Sequence, residues 1–259
     1  MNGSRVGSRM GRYGALTAPV IMALLAGGLG SIAGGCGDDS DSATSAGGGG
    51  AGTGTGGSGG GGGGFGSVIL YPGAAPLPGE SECKVVITKF PEPQGGHVPV
   101  CTPVEYPNPP TSGDHWPIWA AFKKYTTPVP SQIYVHDHEH GAVVLSYRCA
   151  AGCPEVVTML EEVFDEVPED PLCNKIPGGP KARMVLAPNP DIPTTIVASS
   201  WAASYTATCI DKESLARFVS EAYGHGPEPI CAQGIDLEDP NAGYLDCSSA
   251  AAADAAGGG

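Results

Sequence analysis

Residues 47–64 are almost pure glycine, relieved only by Ala51, Thr53, Thr55 and Ser58. Glycine brings no side chain to bury and loses more backbone freedom on ordering than any other residue, so this tract cannot help to build a core. It therefore divides the chain. Whatever folds as a globule is confined to about residues 65–247, one domain's worth of sequence and long enough for an apolar core. The glycine tract and the Asp/Ser/Thr run before it are expected to act as a tether, and the Ala/Gly-rich residues 248–259 as a frayed tail.

The first 35 residues read as an export signal. Arg5, Arg9 and Arg12 precede any acidic residue, and an apolar stretch follows over residues 16–32. That stretch is short and interrupted by glycine, which argues against a helix that stays in a membrane. It ends in Ala33-Gly34-Gly35-Cys36, which resembles the lipobox of bacterial lipoproteins. The resemblance implies cleavage before Cys36, lipidation of Cys36, residues 36–64 as the tether, and a mature protein anchored to the bacterial cell envelope, periplasm-facing or on the cell surface. Its partners would then be the membrane, through the lipid, and an envelope protein or cell-wall component.

Nine cysteines are present. With Cys36 assigned to lipid, an even set of eight remains, which in an exported domain implies up to four disulfides. Neighbouring pairs such as Cys83–Cys101 and Cys231–Cys247 are the simplest pattern. Cys149 and Cys153 could also serve as zinc thiolates, but no second pair stands nearby to complete the site. The formal net charge is -14, and no basic stripe is interleaved with aromatic residues, so nucleic acid is an unsuitable partner.

The pattern of elements is α+β. Strands are expected at residues 67–71, 84–89, 133–135, 141–147, 184–186 and 195–199. Two main helices are expected. One covers residues 154–167, opened by Pro154 and carrying the apolar stripe Val156, Leu160, Val163, Phe164 and Val167. The other covers residues 211–223, capped by Asp211 and stopped by Gly224. The result would be one disulfide-bearing domain with a mixed or antiparallel sheet and a loop-rich N-terminal part.

Chemistry concentrates in the six histidines. Three fall in Val135-His136-Asp137-His138-Glu139-His140-Gly141, and His115 closes a Pro/Gly-rich loop. Imidazole is the commonest side-chain metal ligand. In a strand, histidines two apart lie roughly 6.5–7 Å apart at Cα and can share an ion, whereas His136 and His140 lie about twice that apart. A helical turn would instead put His136 and His140 on one face. His97 and His225 read as hydrogen-bonding loop residues. Ser112 lacks the strand–elbow–helix context of a hydrolase nucleophile, and neither a phosphate-cradling loop nor a nicotinamide fingerprint is present.

Tyr106-Pro107-Asn108-Pro109-Pro110-Thr111-Ser112-Gly113-Asp114-His115, then Pro128-Val129-Pro130, then Val135-His136 with Glu139-His140-Gly141-Ala142-Val143-Val144, resembles domain-of-unknown-function family 3105. Pro188-Asn189-Pro190, Trp201 and Thr208-Cys209 extend the likeness, which covers residues 106–228. Members are bacterial extracytoplasmic or membrane-anchored proteins, and an animal tumour-suppressor-inducible transmembrane protein is similar. The resemblance implies no activity. It carries over His115, His136, Glu139 and His140, departs at His138, where the family more often has an apolar residue, and so implies a turn or bulge over residues 136–141.

Three functions fit these residues: a domain binding copper or zinc through His115, His136 and His140 with Glu139 nearby; a non-enzymatic envelope binding module with structural histidines; and a hydrolase using histidine and Glu139 as acid and base. Whether the chain is an enzyme is left open by the sequence.

Overall fold

The computed structural model describes residues 66–91, 95–149, 152–242 and 247. The expected signal peptide, Cys36, the glycine tract and the C-terminal tail lie outside the described residues. Among the described residues six strands form one sheet: β1 (Gly66–Leu70), β2 (Val85–Lys89), β3 (Val143–Tyr147), β4 (Met184–Pro188), β5 (Ile196–Ser200) and β6 (Ala203–Ala207). Their order is β1-β2-β6-β5-β3-β4. Every neighbouring pair is antiparallel except β3 and β4. A parallel pair needs a crossover, and α2 (Pro154–Glu166) lies in the β3–β4 connection. The other helices are α1 (Ser131–Glu139) and α3 (Lys212–Ala222). This is the α+β, mixed-sheet class that the sequence pattern indicates.

The two faces of the sheet are covered differently. Val143, Leu145, Met184, Leu186, Ile196, Ala198 and Tyr205 pack against Val156, Leu160 and Val163 of α2 and Leu215, Phe218 and Val219 of α3. Alternation along each strand sends Val144, Val185 and Ala187 to the opposite face, where they meet Ile133 and Val135 of α1 and Trp116, Phe122 and Tyr125 of the long connection before it. Helices α2 and α3 begin and face as expected: Pro154 occupies the first turn of α2, and the Asp211 side chain accepts from Ser214 N–H at the start of α3.

Residues 133–135 are helical, not extended. Ile133 and Tyr134 N–H both donate to the Pro130 carbonyl, so the rigid Pro128-Val129-Pro130 approach launches the helix directly. Every residue from Ile133 to Glu139 is buried. A helix buried all round shows no polar face, and its 3.6-residue period vanishes from the sequence. Strand β6 also escapes the sequence reading. Trp201 and Ala202 join β5 to β6, with Ser200 paired to Ala203, and Ala202 takes φ +56° without the Gly or Asn that usually signals such a turn. Burial of Trp201 beneath the turn holds it there.

All eight downstream cysteines pair, as their even number implies, but not by the local pattern. The bonds are Cys83–Cys209, Cys101–Cys247, Cys149–Cys153 and Cys173–Cys231. Strand β2 lies beside β6, with Val85 opposite Ala207, so Cys209 rather than Cys101 faces Cys83. The Cys149 and Cys153 thiols bond each other and are not zinc ligands. Four disulfides suggest an extracytoplasmic, oxidising setting. Among the described residues no helix is long and apolar enough to cross a membrane.

Candidate metal centre

Helix α1 brings the histidines together by its pitch. His136 and His140 stand one turn apart, with ring centroids 4.6 Å from each other, and Glu139 is three residues beyond His136. Gly141, at φ +79°, reverses the chain immediately afterwards. The bend implied over residues 136–141 is thus the last turn of a helix and its termination. His138, between the two, points elsewhere. Its Nδ1 bonds the Thr111 carbonyl at 3.2 Å and its Nε2 the Ser199 hydroxyl at 3.1 Å. With both nitrogens engaged and burial holding its pKa down to about 3, it is a neutral structural group.

The preceding connection supplies two more rings. His115 N–H donates to the Gly96 carbonyl and Val98 N–H to the His115 carbonyl, a short parallel bridge that aligns His97 with His115. The approach requires glycine: a Cβ on Gly95 would lie 2.4 Å from the Gly113 carbonyl oxygen. His97 belongs to no motif of its own, and the Gly95-Gly96 pair before it is the one sequence signal that another backbone comes close.

His97, His115, His136 and Glu139 converge so that one donor atom from each lies within 4.8 Å of the others. Glu139 Oε2 sits 3.0 Å from His115 Nε2, 3.4 Å from His97 Nε2 and 3.8 Å from His136 Nε2. His115 is fully buried and His136 nearly so, while the His97 side chain is half exposed. The centre therefore opens to solvent on the His97 side. Of the four residues singled out from sequence, His115, His136 and Glu139 share this cluster. His140 lies beside it in a second grouping with Glu139 and Glu228.

Hydrogen bonds on the far side of each ring decide what the near side can do. His115 Nδ1 is 2.8 Å from the Gly113 carbonyl, and His136 Nδ1 is 2.7 Å from the Trp116 carbonyl. A carbonyl only accepts, so each Nδ1 carries the proton. The Nε2 atoms of both rings face the Glu139 carboxylate, that of His115 within hydrogen-bond distance at 3.0 Å and that of His136 at 3.8 Å. Burial, reinforced by the neighbouring His140 and His115, lowers the His136 pKa to about 4, so at neutral pH this ring supplies no second proton. Three nitrogens face one carboxylate, a donor set that a cation among them would complete.

The scale fits such an ion. Bonds of about 2.0–2.1 Å to a tetrahedral ion put its ligands roughly 3.3 Å apart, and the three glutamate–histidine distances of 3.0, 3.4 and 3.8 Å bracket that edge. Backbone carbonyls on the outer nitrogens are also the usual second layer around a metal-bound histidine, fixing tautomer and ring orientation. Trp119 walls the site, with its ring centroid 5.1 Å from His136 and 5.0 Å from His140.

Residues 97–234 match the family model described as "Protein of unknown function (DUF3105)". The chain belongs to the DUF3105 family. The match begins at His97 and takes in every residue of the cluster as well as Glu228. No curated protein and no solved structure matches the chain. Ser112, the one candidate nucleophile, is buried and hydrogen-bonds only to the neighbouring Thr111 hydroxyl at 3.3 Å. Its loop serves instead to present the Thr111 and Gly113 carbonyls to His138 and His115.

Proposed function

We propose that this DUF3105 member is an extracytoplasmic metal-binding protein that holds one transition ion through the Nε2 atoms of His97, His115 and His136 and the carboxylate of Glu139. The observation that carries the reading is the convergence of three imidazoles on one carboxylate, with the His115 and His136 rings held by carbonyls behind them. Three nitrogens and one oxygen suit zinc or copper. His140 completes the wall of the site rather than its first set of ligands. Lipidation at Cys36 would hold the centre at the envelope surface, where an envelope protein or cell-wall partner could exchange the ion.

Four protein ligands fill a tetrahedral ion, which favours binding over hydrolysis. Acid–base hydrolysis by His and Glu139 would need water on the ion, and the half-exposed His97 is the ligand whose release admits it. A purely structural role fits His138, both of whose nitrogens are hydrogen-bonded within the fold.

The test is metal analysis and calorimetric titration of the full chain after chelator treatment. The wild type is expected to bind zinc or copper, and His115→Ala and His136→Ala to lose that binding while keeping the circular dichroism of the fold. A wild type that binds neither metal above its variants overturns the reading.

A further inference from the structure

Resting on that reading, we infer that the centre holds a second ion, carried by His140, Glu139 and Glu228, with the Glu139 carboxylate bridging the two positions. A ring nitrogen of His140 and carboxylate oxygens of Glu139 and Glu228 lie within 4.8 Å of one another. The independent observation is His140 itself. It is almost wholly buried, its Nδ1 is 3.1 Å from the Glu228 carbonyl, and its Nε2 has no hydrogen-bond partner. The tie of its Nδ1 to a carbonyl repeats the arrangement at His115 and His136, while its bare, buried Nε2 leaves a lone pair for an ion.

The chain invests unusual geometry in bringing Glu228 there. Glu228 N–H donates to the Glu139 carbonyl at 3.0 Å, and Gly224 N–H to the Gly141 carbonyl at 2.8 Å. Between them Gly226 passes so close to the end of α1 that a Cβ would lie 2.2 Å from the Glu139 carbonyl oxygen. This strap, about 90 residues downstream of α1, sets an exposed carboxylate beside the buried ring. Glu139 can serve both positions, since a carboxylate has two oxygens and about four lone-pair directions. Ions sharing a carboxylate sit about 3.5–4 Å apart. A borderline divalent ion, Zn2+ or Cu2+, suits one nitrogen with two carboxylates.

The experiment is titration of the metal-free, disulfide-intact full chain with Cu2+, read by bound equivalents and by electron paramagnetic resonance. Glu228→Gln, an exposed and conservative change, keeps the fold intact, and His136→Ala controls the first position. The wild type is expected to take two equivalents with magnetically coupled spins, and Glu228→Gln to take one, uncoupled. One equivalent in both, lost in His136→Ala, overturns the second position and leaves the first standing. Two uncoupled equivalents insensitive to Glu228→Gln also overturn it, placing the second ion elsewhere. No binding by the wild type overturns both.

Discussion

The two faces of the central sheet are built on opposite terms. On the α2/α3 face, stability comes chiefly from apolar burial, and its buried polar groups are paired, Asp170 with Arg183 and Tyr205 with Ser214. On the α1 face, an apolar patch around Trp116, Ile133 and Val185 surrounds a core of His115, His136, Asp137, His138, Glu139 and His140, all buried. Burying such groups costs free energy unless each finds a partner. His138 is fully paired, whereas His140 Nε2 and both Asp137 oxygens find no hydrogen-bond partner. The comparison teaches that one face makes the fold and the other spends stability on a site. Desolvation pushes the Asp137 carboxyl well above the ordinary carboxylate range.

The division can be broken or sharpened by substitution. The largest effect is expected from His115→Ala, which removes a fully buried ligand. Metal affinity should fall by more than the ~10–100-fold typical of losing an outer-shell partner, measured by competition with a chromogenic chelator. Leu160→Ala, at the centre of the α2 stripe and fully buried, should do the converse. Stability to urea is expected to drop by about 2–5 kcal/mol, with metal affinity held within a few-fold. If Leu160→Ala abolished binding, the two faces would not be separable.

Acid should act through the histidine face. His138 and His136 have folded pKa values lowered to about 3 and about 4 from 6.5. The unfolded chain therefore takes up protons first as pH falls. Stability of the metal-free protein is complete above about pH 6.5 and declines from there toward pH 3, by an amount on the order of a few kcal/mol. Urea midpoints measured across that range check it, and a midpoint unchanged down to pH 4 would contradict the burial of these rings. A smaller loss, about 1 kcal/mol, is expected from Asp211→Ala, which removes the cap of α3. The smallest is Lys212→Ala. Its ion pairs with Glu162 and Glu166 are surface contacts at 2.9 and 2.7 Å, and their loss should shift the urea midpoint barely beyond error.

The same contrast explains what was legible in the sequence. The α2/α3 face was readable because amphipathic packing leaves a period: Val156, Leu160 and Val163 recur at helical spacing, and Asp211 and Gly224 mark the limits of α3. The α1 face was not, because α1 is buried on all sides and the residues around His136 read equally well as strand or helix. His115, His136, Glu139 and His140 could be singled out by residue type and by the family likeness. His97 and Glu228 could not, since each reaches the site through a close backbone approach at Gly95 and Gly226. Disulfide partners were hidden for a related reason: the β2–β6 pairing that joins Cys83 to Cys209 spans 126 residues.

The positions of the imidazole protons distinguish a metal centre from a salt-bridged cluster. Heteronuclear NMR of the imidazole nitrogens, recorded at neutral pH before and after addition of Zn2+, reads them directly. His115 and His136 are expected to be protonated at Nδ1 alone in the metal-free chain, with the Nε2 resonances of His97, His115 and His136 moving together when zinc is added. Doubly protonated rings paired with Glu139, and Nε2 resonances indifferent to zinc, would show a salt-bridged structural cluster in place of a metal centre.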